Sequence, residues 1–315
     1  NAVKTITSED LAILTDSKLV MSNIDMVLDM ALTQSGLKEL VTIPAGTDWN
    51  SELMNIANVL NTDAFNTLLY KDGKMDFTRV SNPEILIEAI KTITNNDLAI
   101  FTDSNLVMTN VPTVLDMVLT QAGLKDVVTI PAGTDWNSEL MRIVDVLNTE
   151  AFNLVAYKEG KFDLTGINNL GTIIEAVKTI TSDDLAIFTD SKLIMSNIDS
   201  VLAMALAQSG LEGLVTIPAG LDWNSELMRI VNVLHTEAVN TLLYNAAGEL
   251  TFEGIKNLEV IINAVKTITS EDLAILTDSN LVMSNIDMVL DMALTKAGLK
   301  DVVTIPAGLD WNREL

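Results

Sequence analysis

The chain has no cysteine and one histidine in 315 residues. The first absence excludes disulfides and thiolate metal sites. It does not separate an exported protein from a cytosolic one. The second leaves no histidine pair for a metal and no base for a repeated Ser–His–Asp relay. Basic residues are also scarce: 19 Lys and Arg stand against 43 Asp and Glu, a net charge of −24. Such a charge repels nucleic acid and anionic lipid, and it keeps a long chain soluble. Apolar runs are short and broken by Asp and Asn, so no segment of this sequence reads as bilayer-spanning. Glycine-rich dinucleotide and phosphate-loop patterns are missing. No flexible Pro/Ser-rich linker interrupts the chain.

What the sequence has instead is repetition. LVTIPAGTDWNSELM at Leu40 returns from Val127, Leu214 and Val302 with few changes. Trp49, Trp136, Trp223 and Trp311 mark steps of 87, 87 and 88 residues, and Asp10, Asp97, Asp184 and Asp272 mark the same steps. The extra residue falls where YKDGKMDFT (Tyr70) and YKEGKFDLT (Tyr157) become YNAAGELTFE (Tyr244), a Gly-bearing turn of the kind that tolerates insertion. Residues 2–53 and 264–315 differ at 7 positions. The expected domain organisation is four repeats: 1–80, 81–167, 168–255 and 256–315, the first and last incomplete. The sequence starts and stops in mid-pattern, so the expectation is a window on a longer array.

Within one unit the patterns are mostly helical. PEILIEAIKTI from Pro83 places proline at a first helical position. TNND at Thr94 (TSED at Thr7 and Thr269, TSDD at Thr181) is a capping box opening a second helix. SNID at Ser22, Ser196 and Ser284 reads as another cap, and Pro112 in the corresponding TNVP fits a first helical turn. Ile24, Val27, Leu28, Ala31 and Leu32 form one apolar helical face, closed by Gly36, with Asp25 and Asp29 elsewhere on the helix. VVTIPAG is extended, TDWN starts the next helix, and the Gly-centred turn after Tyr157 suggests a small β-hairpin. The fold expected is mainly α: a tandem array of about four 87-residue helical repeats, an α-solenoid or stacked small bundles, with each repeat closed by a small β-hairpin or a bare loop. Stacking neighbours bury a shared interface.

Candidate chemistry is sparse. His235 stands where Asn61 and Asn148 stand in other copies and has no repeated partner. Asp48, Asn50 and Glu52 occupy positions 1, 3 and 5 of a calcium loop, but positions 6 and 12 hold Leu53 and Val59; the same residues suit a helix N-terminus. Trp49, Trp136, Trp223 and Trp311 are the residues singled out, for packing at a repeat interface or for stacking on a ligand. Met30, Met117, Met204 and Met292 read as core filling. Lys4, Lys91, Lys178 and Lys266 sit near a helix end, where a cation suits the dipole. No catalytic, cofactor or metal residue is assigned.

TSDDLAIFTDSKLIMSNIDSVLAMAL from Thr181 and VTIPAGLDWNSELMRIVNVL from Val215 resemble helical repeat units of very large surface or secreted proteins of low-GC Gram-positive bacteria and their wall-less relatives. The resemblance covers most of each unit and rests on caps and apolar spacing. It implies an exported or cell-surface, adhesin-like or stalk-like setting and no catalytic residue. The function expected is a non-catalytic structural segment of a stalk, filament or spacer. Its partners would be neighbouring repeats and other copies in a filament, with no nucleic acid and no membrane insertion. The alternative is a multivalent binding array offering a glycan, peptide or Ca2+ site per repeat.

Overall fold

The structure is a computed structural model and describes residues 7–314. Lys4 lies outside the described residues. Among them the chain is mainly helical, with a few two-residue strands, and it divides into two compact units.

Unit 1 comprises Asn1–Asn148 with Ser191–Asn197. Its helices are α1 (Ser8–Asp16), α2 (Lys18–Met21), α3 (Ile24–Ser35), α4 (Trp49–Leu60), α5 (Asp63–Leu69), α6 (Pro83–Lys91), α7 (Asn95–Asp103), α8 (Asn105–Gln121) and α9 (Trp136–Leu147). Between α5 and α6 lie the antiparallel strands β1 (Tyr70–Lys71) and β2 (Lys74–Met75), then a 3-10 turn, Phe77–Ser81. Unit 2 comprises Thr149–Asp190 and Ile198–Leu315. It contains α10 (Glu150–Ala156), strands β3 (Tyr157–Lys158) and β4 (Lys161–Phe162), the 3-10 turn Leu164–Asn168, α11 (Leu170–Thr179) and α12 (Ser182–Asp190). The short α13 (Lys192–Met195) belongs to unit 1. Unit 2 resumes with α14 (Ile198–Gln208), α15 (Trp223–Leu234), α16 (Glu237–Leu243), the 3-10 turn Gly254–Lys256, α17 (Leu258–Thr267), α18 (Ser270–Asp278), α19 (Asn280–Lys296) and α20 (Trp311–Glu314).

The capping chemistry read in the sequence is present. Asn82 accepts from Glu84 N at 2.9 Å and opens α6 with Pro83 behind it. Thr94 and Asp97 close a capping box on α7, as Thr269 and Asp272 do on α18. Gly36 ends α3 at φ +73°, a left-handed conformation that an L side chain resists. The hairpin is complete twice; at Tyr244 the insertion leaves a single bridge to Leu250.

Two expectations are corrected. Ser22, Ser196 and Ser284 do not cap the third helix. α3 and α14 do start at Ile24 and Ile198, but α3 has Asn23 as its N-cap with no side-chain bond, and Ser17 and Ser191 cap the short α2 and α13 before them. In the other two copies Ser104 and Ser279 cap α8 and α19, which run unbroken past the expected start. Pro112 therefore lies inside α8 instead of in a first turn. A proline there removes one backbone donor.

In unit 1, Val59, Ala64 and Phe101 are buried together, with Phe65, Ile93, Ile100 and Val107 packed against them. Phe65 and Phe101 tilt at 51° with ring centroids 6.2 Å apart. Residues 59–65 come from the first sequence copy and 93–107 from the second, so this apolar core spans a copy boundary.

Candidate functional site

Asp48 caps α4, accepting from Asn50 N (3.1 Å) and Ser51 Oγ (3.0 Å). The helix that follows carries Trp49 and Glu52 three residues apart, on one side, and both are buried, at 6% and 4% exposure. A buried glutamate needs donors for its oxygens. Glu52 finds them in the next sequence copy, at the start of α8. Ser104 Oγ donates to Oε1, Asn105 N to Oε2 (3.1 Å) and Leu106 N to Oε1 (3.0 Å). Ser104 is itself wholly buried and accepts from Val107 N at 3.2 Å. The first N–H groups of a helix have no partner within it and carry its positive end. A carboxylate from elsewhere in the chain supplies both acceptor and charge.

The arrangement occurs three times. Glu139, at 1% exposure, accepts from Ser191 Oγ (2.5 Å), Lys192 N (3.2 Å) and Leu193 N (3.1 Å) within unit 1. Glu226, at 0%, accepts from Ser279 Oγ (2.5 Å), Asn280 N (3.2 Å) and Leu281 N (3.0 Å) within unit 2. Arg142 and Arg229 stand 3.8 and 3.6 Å from these carboxylates. At the matching place in α4, Asn55 donates to Asp103 O at 2.8 Å.

A second clasp lies beside each carboxylate. Asn110 pairs with the backbone of Thr42: Thr42 N donates to Oδ1 (2.6 Å) and Nδ2 donates to Thr42 O (2.9 Å). Asn197 does the same with Thr129, and Asn285 with Thr216. The extended VTIPAG stretch thus meets its backbone partner in a side-chain amide of the following copy, which the sequence did not announce.

Three of the tryptophans make indole N–H bonds within their own copy. Trp49 Nε1 donates to Asp25 at 2.7 Å, Trp223 to Asp199 at 2.9 Å and Trp311 to Asp287 at 2.8 Å. Each bond stays within one copy, across the loop between two helices. Trp49 and Trp223 are buried, whereas Trp136 is half-buried. Its partner position is Pro112, which has no carboxylate. Met30 is exposed, although its repeats Met117, Met204 and Met292 are partly covered.

Three further groups complete the search for chemistry. Within unit 2, Lys178 Nζ reaches Asn240 Oδ1 (3.1 Å) and Tyr244 Oη (3.2 Å), and Tyr244 donates to Glu175. Burial, then the Glu175 carboxylate, pushes the Tyr244 hydroxyl up to about 12. His235 is the C-terminal cap of α15, its Nδ1 2.8 Å from Val231 O. Asp48 and Glu52, read as alternative calcium ligands, face different partners: one caps its own helix and the other serves α8. Among the described residues no group of three or more His, Cys, Asp or Glu is placed to hold a metal. None of their single helices is long and apolar enough to cross a membrane, and the one sufficient pair, α18 with α19, is bent by 101°.

Sequence reasoning found the DWNSE motif but assigned Glu52 to its own helix start. The signal available was constancy: Glu52, Glu139, Glu226 and Glu314 are all Glu, Ser17, Ser104, Ser191 and Ser279 all Ser, and Asn23, Asn110, Asn197 and Asn285 all Asn. The partners lie 52 or more residues apart, beyond any local pattern. The chain matches no protein-family model, no curated protein and no solved structure.

Proposed function

We propose that this chain is a structural repeat segment, non-catalytic, in which each 87-residue unit is clasped to the next to make an extended spacer or stalk. The observation that supports the reading is the buried glutamate at three successive copy boundaries. Its oxygens accept from three donors and it is almost wholly buried, so structural bonds already occupy it. A buried charge held by three hydrogen bonds fixes register more than it adds stability, and fixed register is what a stack of near-identical units requires. The constancy of the clasp residues beside drifting surface positions such as Lys18/Asn105 and Asp145/Asn232 supports the same reading. The resemblance to repeats of large bacterial surface proteins adds a setting: exposure at or beyond the cell envelope, with a net charge of −24 discouraging sideways clumping.

Small-angle X-ray scattering tests it. The chain would be compared with versions lengthened in register by one and two copies of residues 81–167. The maximum dimension is expected to grow by an equal step per added unit, with a rod-like profile. Growth without a constant step, or a profile of loosely joined beads, would overturn the rigid-array reading.

A further inference from the structure

The first copy lacks, among the described residues, what covers the other three. Ile13, Leu19 and Met26 are 70%, 77% and 61% exposed, and Val20, Val27 and Met30 are exposed as well. Ile100 and Val107, which correspond to Ile13 and Val20, pack instead against the buried cluster of Val59, Ala64 and Phe101, the first two of which come from α4 and α5. Ser17 caps α2 and accepts from Val20 N at 3.4 Å. No carboxylate reaches it among the described residues, whereas Ser104, Ser191 and Ser279 each hold one. Asn23 donates to Leu19 O at 2.8 Å, as its repeats donate to Leu106, Leu193 and Leu281. Its Oδ1 meets no backbone N–H among the described residues.

We propose that this face, from Ile13 to Met30, is a docking site for one kind of occupant. That occupant is a segment of the α9–α10 type from another copy of the unit: an extended Val-Thr-Ile-Pro stretch, then an amphipathic helix with a glutamate in its first turn. The three internal boundaries define the fit. The incoming glutamate accepts from Ser17 Oγ and from the N–H groups of Lys18 and Leu19. The incoming threonine pairs its backbone with Asn23. The apolar side of the incoming helix covers Ile13, Leu19 and Val20. The proposal rests on the clasp reading above.

The test uses the full chain and a synthetic peptide of residues 127–157, followed by hydrogen exchange. Binding with new protection at residues 17–30 is expected. Glu139→Gln in the peptide, or Asn23→Ala in the chain, should weaken it by about tenfold or more. The isolated peptide has to become helical on binding, so a tethered version decides. Residues 127–174 are joined ahead of Asn1, where they run in register because Ala2-Val3-Lys4 repeats Ala176-Val177-Lys178. Exchange at Val20 and Val27 should then slow to the level of Val107 and Val114. Unchanged exchange there in the tethered chain overturns the docking proposal, as does peptide binding that ignores both substitutions. The clasp reading fails separately: Glu139→Gln in the untethered chain would leave exchange at Lys192 and Leu193 unaltered.

Discussion

Glu139 is a charge removed from water and repaid by three donors and a helix end. Glu139→Gln keeps the size but puts an NH2 donor in place of one oxygen, facing the N–H of either Lys192 or Leu193, and deletes the charge. Denaturant unfolding should show a loss of about 2–4 kcal/mol. Pro112 predicts the opposite sign. Pro112→Asp would restore a backbone donor inside α8 and give Trp136 the carboxylate its three counterparts hold. A gain of about 1 kcal/mol or more is expected in the same measurement, with Trp136 emission shifting toward that of a buried indole. Elsewhere the copies vary in step. Asp29 pairs with Lys38, Asp116 with Lys125 (2.7 Å) and Asp291 with Lys300 (2.6 Å), all exposed. Where the third copy has Glu212 in place of the lysine, Ala203 replaces the aspartate. Such surface pairs stabilise little, but like charges left facing would repel, and the paired change avoids that.

At the scale of elements, the VTIPAG stretch is the part most dependent on a neighbour. Among the described residues it joins neither two-stranded sheet, and Thr129 satisfies its N–H and C=O through the single side chain of Asn197. Asn197→Ala should therefore speed amide exchange at Thr129 selectively and lower stability by about 1–3 kcal/mol. Helix starts carry the pH response. Asp10, Asp135, Asp222 and Asp272 are held below the usual carboxylate range, chiefly by hydrogen bonds from Thr7, Ser138, Ser225 and Thr269. Each folded value is depressed, so the contribution is whole above the ordinary carboxylate range and lost as pH falls through the lowered values. Thermal melts should be flat near neutrality and drop below about pH 4. The elements were legible for a local reason. Pro83, the Thr94–Asp97 box and Gly36 act within a turn, and the sequence window contains both partners. Ser104 and Glu52 do not share a window, so the true start of α8 was hidden behind Thr109-Asn-Val-Pro112, as that of α19 was behind Ser284-Asn-Ile-Asp287. The tryptophans drew notice by rarity, while the carboxylate hydrogen bonds across the copy boundary come from the glutamate three residues on.

For the whole molecule, the residues that matter are those at copy boundaries. The clasp has a sense: a glutamate late in one copy reads a serine early in the next, never the reverse, so the two faces of a unit are different and complementary. Both halves of the joint are therefore encoded in any stretch of 87 consecutive residues, wherever the stretch begins. A slip in copying that adds or removes one whole period delivers a finished lock and key together, with nothing left to adapt. The single extra residue of the third step, placed at a hairpin tip away from both halves, leaves the joint intact. The sequence can thus gain or lose a whole period while the joint stays the same.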